Sequence, residues 1–392
     1  MQTGRRRYDF ALLAYSFAAI MLGTTMPSPM YALYSEELHF AVAETTVIYA
    51  TYAAGVLTAL LVFGSWSDAI GRRPVLLAGT LCALGSAVVF LSADSVAQLL
   101  VGRVLSGLSA GLFTGTATAA VIEAAPPRWR TRAPAVATIA NMGGLSSGPI
   151  LAGVLVQYAP QPLRLAFVVH IALTVLAAIA VLVVPETSPR TGKPRLQRLS
   201  VPPQVRPIFV VAGLAAFAGF AVTGLFAAVA PAFIAEVIGI GNHALAGLMA
   251  GSVFAASAAA QIVAVRIPPR RAVAMGCVIL IVGMAVLAAA LHFSSLSALV
   301  AAALVSGLGQ GISFSRGLAA VAEGTPAEAR AAVNSAYFVV AYVAISIPVI
   351  GAGLAAQAWG LRTGGTLFAL AVGALAAVCL IGILREESRT AV

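Results

Sequence analysis

Charged side chains are scarce in this sequence. Only 9% of its 392 residues are charged and 60% are hydrophobic, whereas soluble domains average roughly 25% charged residues. This balance excludes an ordinary soluble domain and predicts a chain of membrane-spanning segments. Cysteines are few as well: Cys82, Cys277 and Cys379 each lie alone in an apolar run. Their spacing predicts neither a disulfide framework nor a metal site.

Several signatures of chemistry are also missing. There is no Gly-x-x-x-x-Gly-Lys-Ser/Thr loop, which argues against an ATP-driven protein. The four histidines are scattered and no nucleophile–histidine–acid set is visible, so we expect no metal, no cofactor and no enzyme. A receptor is disfavoured because no soluble sensory domain is visible. The net charge of +10 comes from short arginine clusters between apolar runs, which indicates membrane topology rather than a nucleic-acid partner.

Twelve apolar runs of spanning length can be traced. Each must be helical, because lipid offers the backbone no hydrogen-bond partners. Most of the 23 basic residues fall in loops on one side, which predicts that this side and both termini are cytoplasmic. The predicted fold class is an all-α integral protein of the inner (plasma) membrane with twelve transmembrane helices. The runs lie at about 10–34, 44–66, 74–92, 97–122, 133–158, 164–184, 207–237, 244–265, 272–292, 298–321, 331–358 and 362–384.

The longest hydrophilic stretch divides the chain near its middle. Residues 185–206 are rich in basic residues and proline and are predicted to form a cytoplasmic linker. It would join six-helix bundles at 1–184 and 207–392. The halves look duplicated at an offset of 200, as in the pair Gly107 and Gly307. Parallel repeats of this kind are a known transporter plan, with the substrate site near the midplane.

The connection between the second and third runs carries the most specific motif. It reads Gly64-Ser-Trp-Ser-Asp68-Ala-Ile-Gly71-Arg72-Arg73. This resembles the GxxxDxxGRR signature of the major facilitator superfamily, in the loop where that family carries it. The resemblance covers essentially the whole chain, and it implies two pseudo-symmetric six-helix bundles that work as a transporter.

That resemblance also implies a conformational latch. Asp68 would interact with the positive N-terminus of the eleventh segment, and Arg72 would pair with Glu123 at the cytoplasmic end of the fourth. Such a latch would hold the outward-open state and release on the inward transition. A loop that serves only as a positive-inside anchor is the alternative.

The fifth run contains Gly144-Leu-Ser-Ser-Gly148-Pro149-Ile-Leu-Ala-Gly153. This looks like the GxxxGPxxxG element of the drug:proton antiporter branch of the superfamily, which implies export. Glycines four residues apart give a smooth helix face, and proline permits a bend. Importers also use small-residue faces for packing, so import stays open.

Arg103, in the fourth run, resembles the family's intramembrane arginine, which is implicated in proton coupling. An arginine in hydrocarbon is costly and faces a cavity or a partner; a snorkelling, structural role is the alternative. No acidic residue lies between Asp9 and Glu36, so the first-helix carboxylate of many cation exporters is missing. Glu236, at a helix end, is the acid assigned with Arg103 to proton coupling. Neutral or anionic amphiphiles therefore suit the cavity better than cations.

These features predict a monomeric, proton-coupled secondary transporter that exports a small neutral or anionic amphiphile. Its partners are the substrate, protons and the lipid bilayer. A proton symporter or facilitator that imports a small metabolite on the same fold is the alternative. The residues predicted to line the substrate cavity are Thr25, Met26, Tyr31, Tyr52, Asn141, Phe226, Gln261, Gln310, Phe314, Tyr337 and Tyr342.

Overall fold

The computed structural model describes residues 2–190, 193–197 and 199–390. Arg198, one of the basic residues of the predicted linker, lies outside the described residues. Every regular element in the described part is a helix. The α-helices are α1 (Gln2–Thr25), α2 (Tyr31–Leu38), α3 (Val42–Phe63), α4 (Trp66–Ala69), α5 (Arg72–Leu91), α6 (Val96–Ala124), α7 (Ala133–Tyr158), α8 (Leu165–Val183), α9 (Arg206–Ala228), α10 (Ala230–Glu236), α11 (His243–Ala264), α12 (Pro269–Phe293), α13 (Leu296–Glu323), α14 (Arg330–Ala344) and α15 (Ile347–Thr390).

Eleven stretches of the described chain are helical, long and apolar enough to cross a membrane. The last, Arg330–Arg385, has 56 residues, about 84 Å of helix, whereas one crossing needs roughly 30 Å. Within α15 the backbone leaves helical geometry at Gly360, where φ is 82°. A residue with a side chain rarely adopts that angle, so glycine permits the kink. The last stretch therefore supplies two crossings, and the described chain fits the predicted twelve.

Two of the apolar runs are interrupted in the structure. In the first run, α1 ends at Thr25 and a 3₁₀ turn at Ser28–Met30 precedes α2. Prolines supply no backbone N–H and disfavour a helical residue before them, so the Pro-Ser-Pro sequence interrupts the hydrogen-bond ladder. In the seventh run, α9 ends at Ala228, close to Pro231 in α10.

Packing divides the chain into two compact units. The first contains residues 1–39 and 51–198, and the second contains 40–50 and 199–392. The start of α3 thus groups with the second unit, and most of the predicted linker groups with the first. Inside the second unit, a Cβ at Gly353 of α15 would overlap Thr46 of α3.

Corresponding glycines make the same kind of contact in each unit. A Cβ at Gly107 of α6 would overlap the backbone carbonyl of Tyr52 on α3. In the second unit, a Cβ at Gly307 of α13 would overlap the carbonyl of Val253 on α11. Glycine is needed at both positions because two helix backbones approach each other closely there. The two halves that match in sequence at these glycines therefore also share the same helix–helix contact.

Two of the cysteines are neighbours, which their spacing did not indicate. Cys277 of α12 and Cys379 of α15 are buried in the second unit, and their thiols are in hydrogen-bonding contact. The Cys379 thiol also donates to the carbonyl of Val211, 3.2 Å away. Both remain free thiols.

Candidate functional site

The loop between α3 and α5 forms an ion-pair network. Arg72, the first residue of α5, places Nη1 2.5 Å from Asp68 Oδ1 and Nη2 3.0 Å from Glu123 Oε1. Its Nη1 also donates to the hydroxyl of Ser67 at 2.8 Å. The Arg72 side chain is only 12% exposed, so this charge is neutralised within the protein rather than by water. One guanidinium fork thus connects α4 to the end of α6.

Glu186, just beyond α8, completes this network, and sequence reasoning did not single it out. Its carboxylate accepts the backbone N–H groups of Arg72 at 2.8 Å and Arg73 at 3.1 Å. These belong to the first turn of α5, where N–H groups lack helical partners and the helix dipole is positive. Burial raises the pKa of Glu186, but backbone N–H groups of Ser188, Arg72, Arg73 and Thr187 outweigh it and hold the pKa below its usual value.

The residue immediately before α5 is Gly71, and its backbone angle and its surroundings both require a glycine. Its φ is 112°, a conformation that residues with side chains rarely adopt. A Cβ at this position would also overlap the Glu186 carboxylate. Gly64, the first glycine of the motif, would place a Cβ 2.5 Å from the Leu60 carbonyl. Arg73 donates to the backbone carbonyl of Leu182, at the end of α8.

The glycine motif of α7 packs on α1. A Cβ at Gly144 would lie 2.5 Å from the carbonyl of Ala18, and one at Gly148 would overlap the carbonyl of Leu22. Thr25, at the end of α1, donates its hydroxyl to the carbonyl of Leu145 at 2.8 Å. The two backbones are therefore nearly in contact along one face. Pro149 and Gly153 are buried in the same helix.

Arg103 of α6 has the largest side chain among the fully buried residues of the described chain, at 1% exposed. Its Nη1 donates to the backbone carbonyl of Thr24 at 2.6 Å. The guanidinium carbon lies 5.4 Å from the ring centroid of Tyr31 and 5.7 Å from that of Tyr52. These are cation–π distances, so the structure unites Arg103 with two residues that the sequence assigned to the substrate cavity.

Glu44, Glu123 and Glu236 each lie at a helix end. Glu44 lies in the first turn of α3, Glu123 is in the last turn of α6, and Glu236 ends α10 with its side chain exposed. Arg316 of α13 forms no ion pair with Glu323, seven residues later on the same helix, among the described residues.

The remaining predicted cavity residues occupy different environments. In the first unit Met26 is fully buried, and Asn141 of α7 is half-buried. In the second unit Tyr337 is fully buried and donates its hydroxyl to the carbonyl of Ala212 at 3.2 Å. Phe314 lies against its ring, with centroids 5.7 Å apart. The others of the second unit are Phe226, Gln261 and Gln310, all buried, and Tyr342, half-buried.

Comparison with known proteins identifies the family. The profile of the Major Facilitator Superfamily matches residues 13–348. The chain belongs to the major facilitator superfamily. This membership makes it a multi-pass membrane transporter of small molecules rather than an enzyme.

The related proteins carry names that indicate different activities. The class E tetracycline resistance protein of Escherichia coli is 32% identical over 40% of this chain and 38% of its own length. Multidrug resistance protein 1 of Bacillus subtilis is 24% identical over 54% of each chain. Myo-inositol transporter 1A of Cryptococcus neoformans is 34% identical over 25% of this chain and 17% of its own. The aligned region thus covers less than two thirds of each relative.

Solved structures show the same fold. A bacterial homologue of the human lysosomal transporter Spinster, in an inward-facing and unoccupied conformation, has a TM-score of 0.76 at 14% identity. The alignment covers 97% of this chain and 98% of that one. The human organic anion transporter MFSD10 has a TM-score of 0.66 at 16% identity, over 96% and 99% of the two chains.

Proposed function

We propose that this transporter is a proton-coupled antiporter that exports a small neutral or anionic amphiphile by alternating access. The observation that carries the proposal is Arg103, buried at 1% exposure against the Thr24 carbonyl and two tyrosine rings. A cation buried this deeply is an expensive arrangement, and such residues mark coupling or substrate pathways. Proton entry supplies the drive: one charge crossing 100 mV contributes about 2.3 kcal/mol.

Export is supported by the α7 glycine face and by two of the relatives. The segment 144–153 resembles the antiporter element in sequence. In the structure Gly144 and Gly148 lie in close contact with α1, so this face can serve as a smooth surface on which α1 slides. Resistance proteins of E. coli and B. subtilis are among the relatives. The inositol transporter favours the second candidate, import of a small metabolite on this fold.

The substrate class follows from charge. A permanently cationic substrate beside Arg103 would enter a low-dielectric site without a counter-charge, at a cost of several kcal/mol. A neutral or anionic compound meets no such cost. Asn141 in the first unit, and Phe226, Gln261, Gln310 and Tyr342 in the second, stay predicted substrate-contact residues.

Asp68, Arg72 and Glu123 act as the conformational latch in this proposal. The Arg72 fork joins both carboxylates, and Asp68 is 61% exposed, so its charge is available for a further contact. We expect Asp68→Asn to abolish most transport while leaving expression and folding near normal. Full activity of that variant, measured beside a wild-type sample of equal abundance, would remove the latch from the mechanism.

The remaining assignments are an inner-membrane location, a monomeric state and cytoplasmic termini; the distribution of arginines in the loops supports the last of these. Six-helix bundles at 1–184 and 207–392, joined through 185–206, complete the proposed arrangement.

Inside-out vesicles from cells with the gene overexpressed or deleted test the function. Tetracycline is the first probe, and ethidium is the cationic comparison. We expect accumulation of neutral or anionic probes that an uncoupler abolishes, and little ethidium uptake. Gradient-driven ethidium transport at a matching rate, lost in Glu236→Gln, would overturn the charge assignment. Uncoupler-insensitive movement in either direction would favour facilitated import.

A further inference from the structure

A buried histidine in the first unit has no role so far. His170 of α8 is 4% exposed, and its ring hydrogen-bonds to the backbone of Ala19 on α1. Nε2 has no hydrogen-bond partner among the described residues. The bond to Ala19 therefore belongs to Nδ1, whose N–H donates to the helix carbonyl, and Nε2 carries the free lone pair.

The ring lies directly on the backbone of α1. A Cβ at Gly23 would overlap Cε1 and Nε2 of His170, so only glycine leaves room for the imidazole there. Ala19 and Gly23 are four residues apart and hence one turn apart on the same helix face. One residue further, the Thr24 carbonyl accepts Arg103. His170 and Arg103 thus hold neighbouring residues at the end of α1.

In the part of the chain that the structure describes, His170 forms no ion pair. Helix α8 packs against α1, α5 and α7. From α1, Tyr15 donates its hydroxyl to the carbonyl of Leu173. From α5, the ring of Phe90 stacks on the ring of Phe167. Arg73 lies at the opposite end of α5 and donates to the backbone carbonyl of Leu182. Tyr158, the titratable residue of α7, is 73% exposed.

On α1 and α6, the nearest carboxylates along each helix lie far from Ala19 and from Arg103. Asp9 precedes Ala19 by ten residues on α1, which is about 15 Å. Glu123 follows Arg103 by twenty residues on α6, which is about 30 Å. Arg103 bonds to the Thr24 carbonyl, one residue beyond Gly23 on α1, and it has the same sign as an imidazolium.

We propose that His170 is a proton-binding site of this transporter and that Nε2 is the atom that takes the proton. This deepens the proposed function, because it supplies the proton carrier that the missing first-helix carboxylate leaves open. The proton adds to the Nε2 lone pair, the ring becomes an imidazolium, and no other bond forms or breaks.

Protonation conflicts with the packing described above. The new N–H of Nε2 faces Gly23 without an acceptor, and its charge lies one residue from the carbonyl that holds Arg103. Burying an unpaired charge is costly, so α1 must withdraw from α8 or admit water. The smooth contact of α1 with Gly144 and Gly148 permits such a shift. Proton binding at His170 and the position of α1 are therefore coupled, and each biases the other.

The test measures proton binding without transport. The full chain, in lipid nanodiscs with labelled histidines, is titrated by NMR from pH 8 to pH 4, and H170Q identifies the His170 resonance among the four histidines. Hydrogen–deuterium exchange of the peptide covering 19–25 is followed at each pH. We expect the His170 resonance to convert from neutral to charged, with exchange rising in step with the protonated fraction. As the pH falls, the protonated fraction grows about tenfold per pH unit until it saturates.

Variants of the same protein separate the possible explanations. H170Q keeps a donor for Ala19 but cannot titrate, so its exchange should lack the pH-dependent rise, and H170N serves if H170Q does not fold. H292Q, which alters the exposed His292 of α12, should behave like the wild type. A His170 resonance that stays neutral until the protein unfolds, or an unchanged rise in H170Q, overturns the proposal. A coupled titration without proton-driven transport in vesicles would instead refute the proposed function and leave His170 as a proton site.

Discussion

Replacing Glu186 tests the network at the start of α5. Its carboxylate accepts two N–H groups from the first turn of α5 and two from its own loop. Hydrogen bonds to a charged group contribute about 1.5–3 kcal/mol each when buried, and a carboxylate at a helix N-terminus adds about 0.3–1 kcal/mol. The Glu186 side chain is 18% exposed, so water can replace part of its hydrogen bonds in the variant. We therefore expect Glu186→Ala to lower the free energy of unfolding by about 2 kcal/mol.

That loss corresponds to a melting temperature lower by about 4–8 °C for a unit of this size. Glu186→Gln keeps one acceptor oxygen and the shape, so roughly half of the loss is expected. Thermal unfolding of purified protein in nanodiscs measures both. Glu36→Ala, which alters an exposed glutamate of α2, is the matched control and should leave the melting temperature unchanged.

The pH dependence gives a second, independent readout. The pKa of Glu186 is held below its ordinary value of 4.5, so the folded state favours the ionised carboxylate. Its contribution is fully present above pH ~4.5 and is lost as the pH falls through the lower pKa of the folded state. The difference between wild type and Glu186→Gln should therefore shrink below pH ~4.5. Equal stability of wild type and Glu186→Ala at pH 7, or a difference that does not change with pH, would refute this account.

Three further predictions concern other contacts. Arg103→Lys cannot reproduce the guanidinium fork, so we expect a loss of about tenfold or more in proton-driven transport, with substrate binding less affected; simple unfolding would make Arg103 structural. Gly148→Val should cost about 1–3 kcal/mol by overpacking α7 against Leu22, whereas Gly143→Ala, which meets open space, should be silent in the same unfolding assay. A mild oxidant should cross-link Cys277 to Cys379 and leave Cys82 reactive to maleimide; retention of all three thiols would contradict their contact.

Much of the fold was predictable because it depends on local sequence. Lipid forces helical structure on every long apolar run, and the Met26-Pro-Ser-Pro segment interrupts its helix because proline lacks an N–H. Family membership was also carried by local spacing, in the Gly64–Arg73 motif. The predicted break between the last two runs is a kink at Gly360 inside α15, since glycine allows the positive φ there.

Contacts between distant residues were harder to predict. Glu186 lies 114 residues from Arg72, and Cys277 lies in a different helix from Cys379, so neither spacing signals a contact. The Pro-Glu-Thr sequence after an apolar run was the available sign for Glu186, because a carboxylate beyond a helix end can cap a neighbouring helix. The partners of Arg103 were hidden for the same reason: Tyr31 and Tyr52 were assigned to the cavity by residue type alone.

The contacts of α1 suggest why these distant residues belong to one mechanism. Over residues 18–25 this helix meets the glycine face of α7, the ring of His170 and the guanidinium of Arg103. The glycine face is smooth and favours sliding, whereas the two basic residues hold the helix through hydrogen bonds to the backbone of Ala19 and Thr24. A proton that binds His170 therefore places a charge against the backbone of this helix, which the hydroxyls of Tyr15 and Thr25 also hold to α8 and α7. Because α1 is interrupted immediately after Thr25, a shift of this segment need not move the whole helix. Proton coupling without a membrane carboxylate is physically consistent with that arrangement.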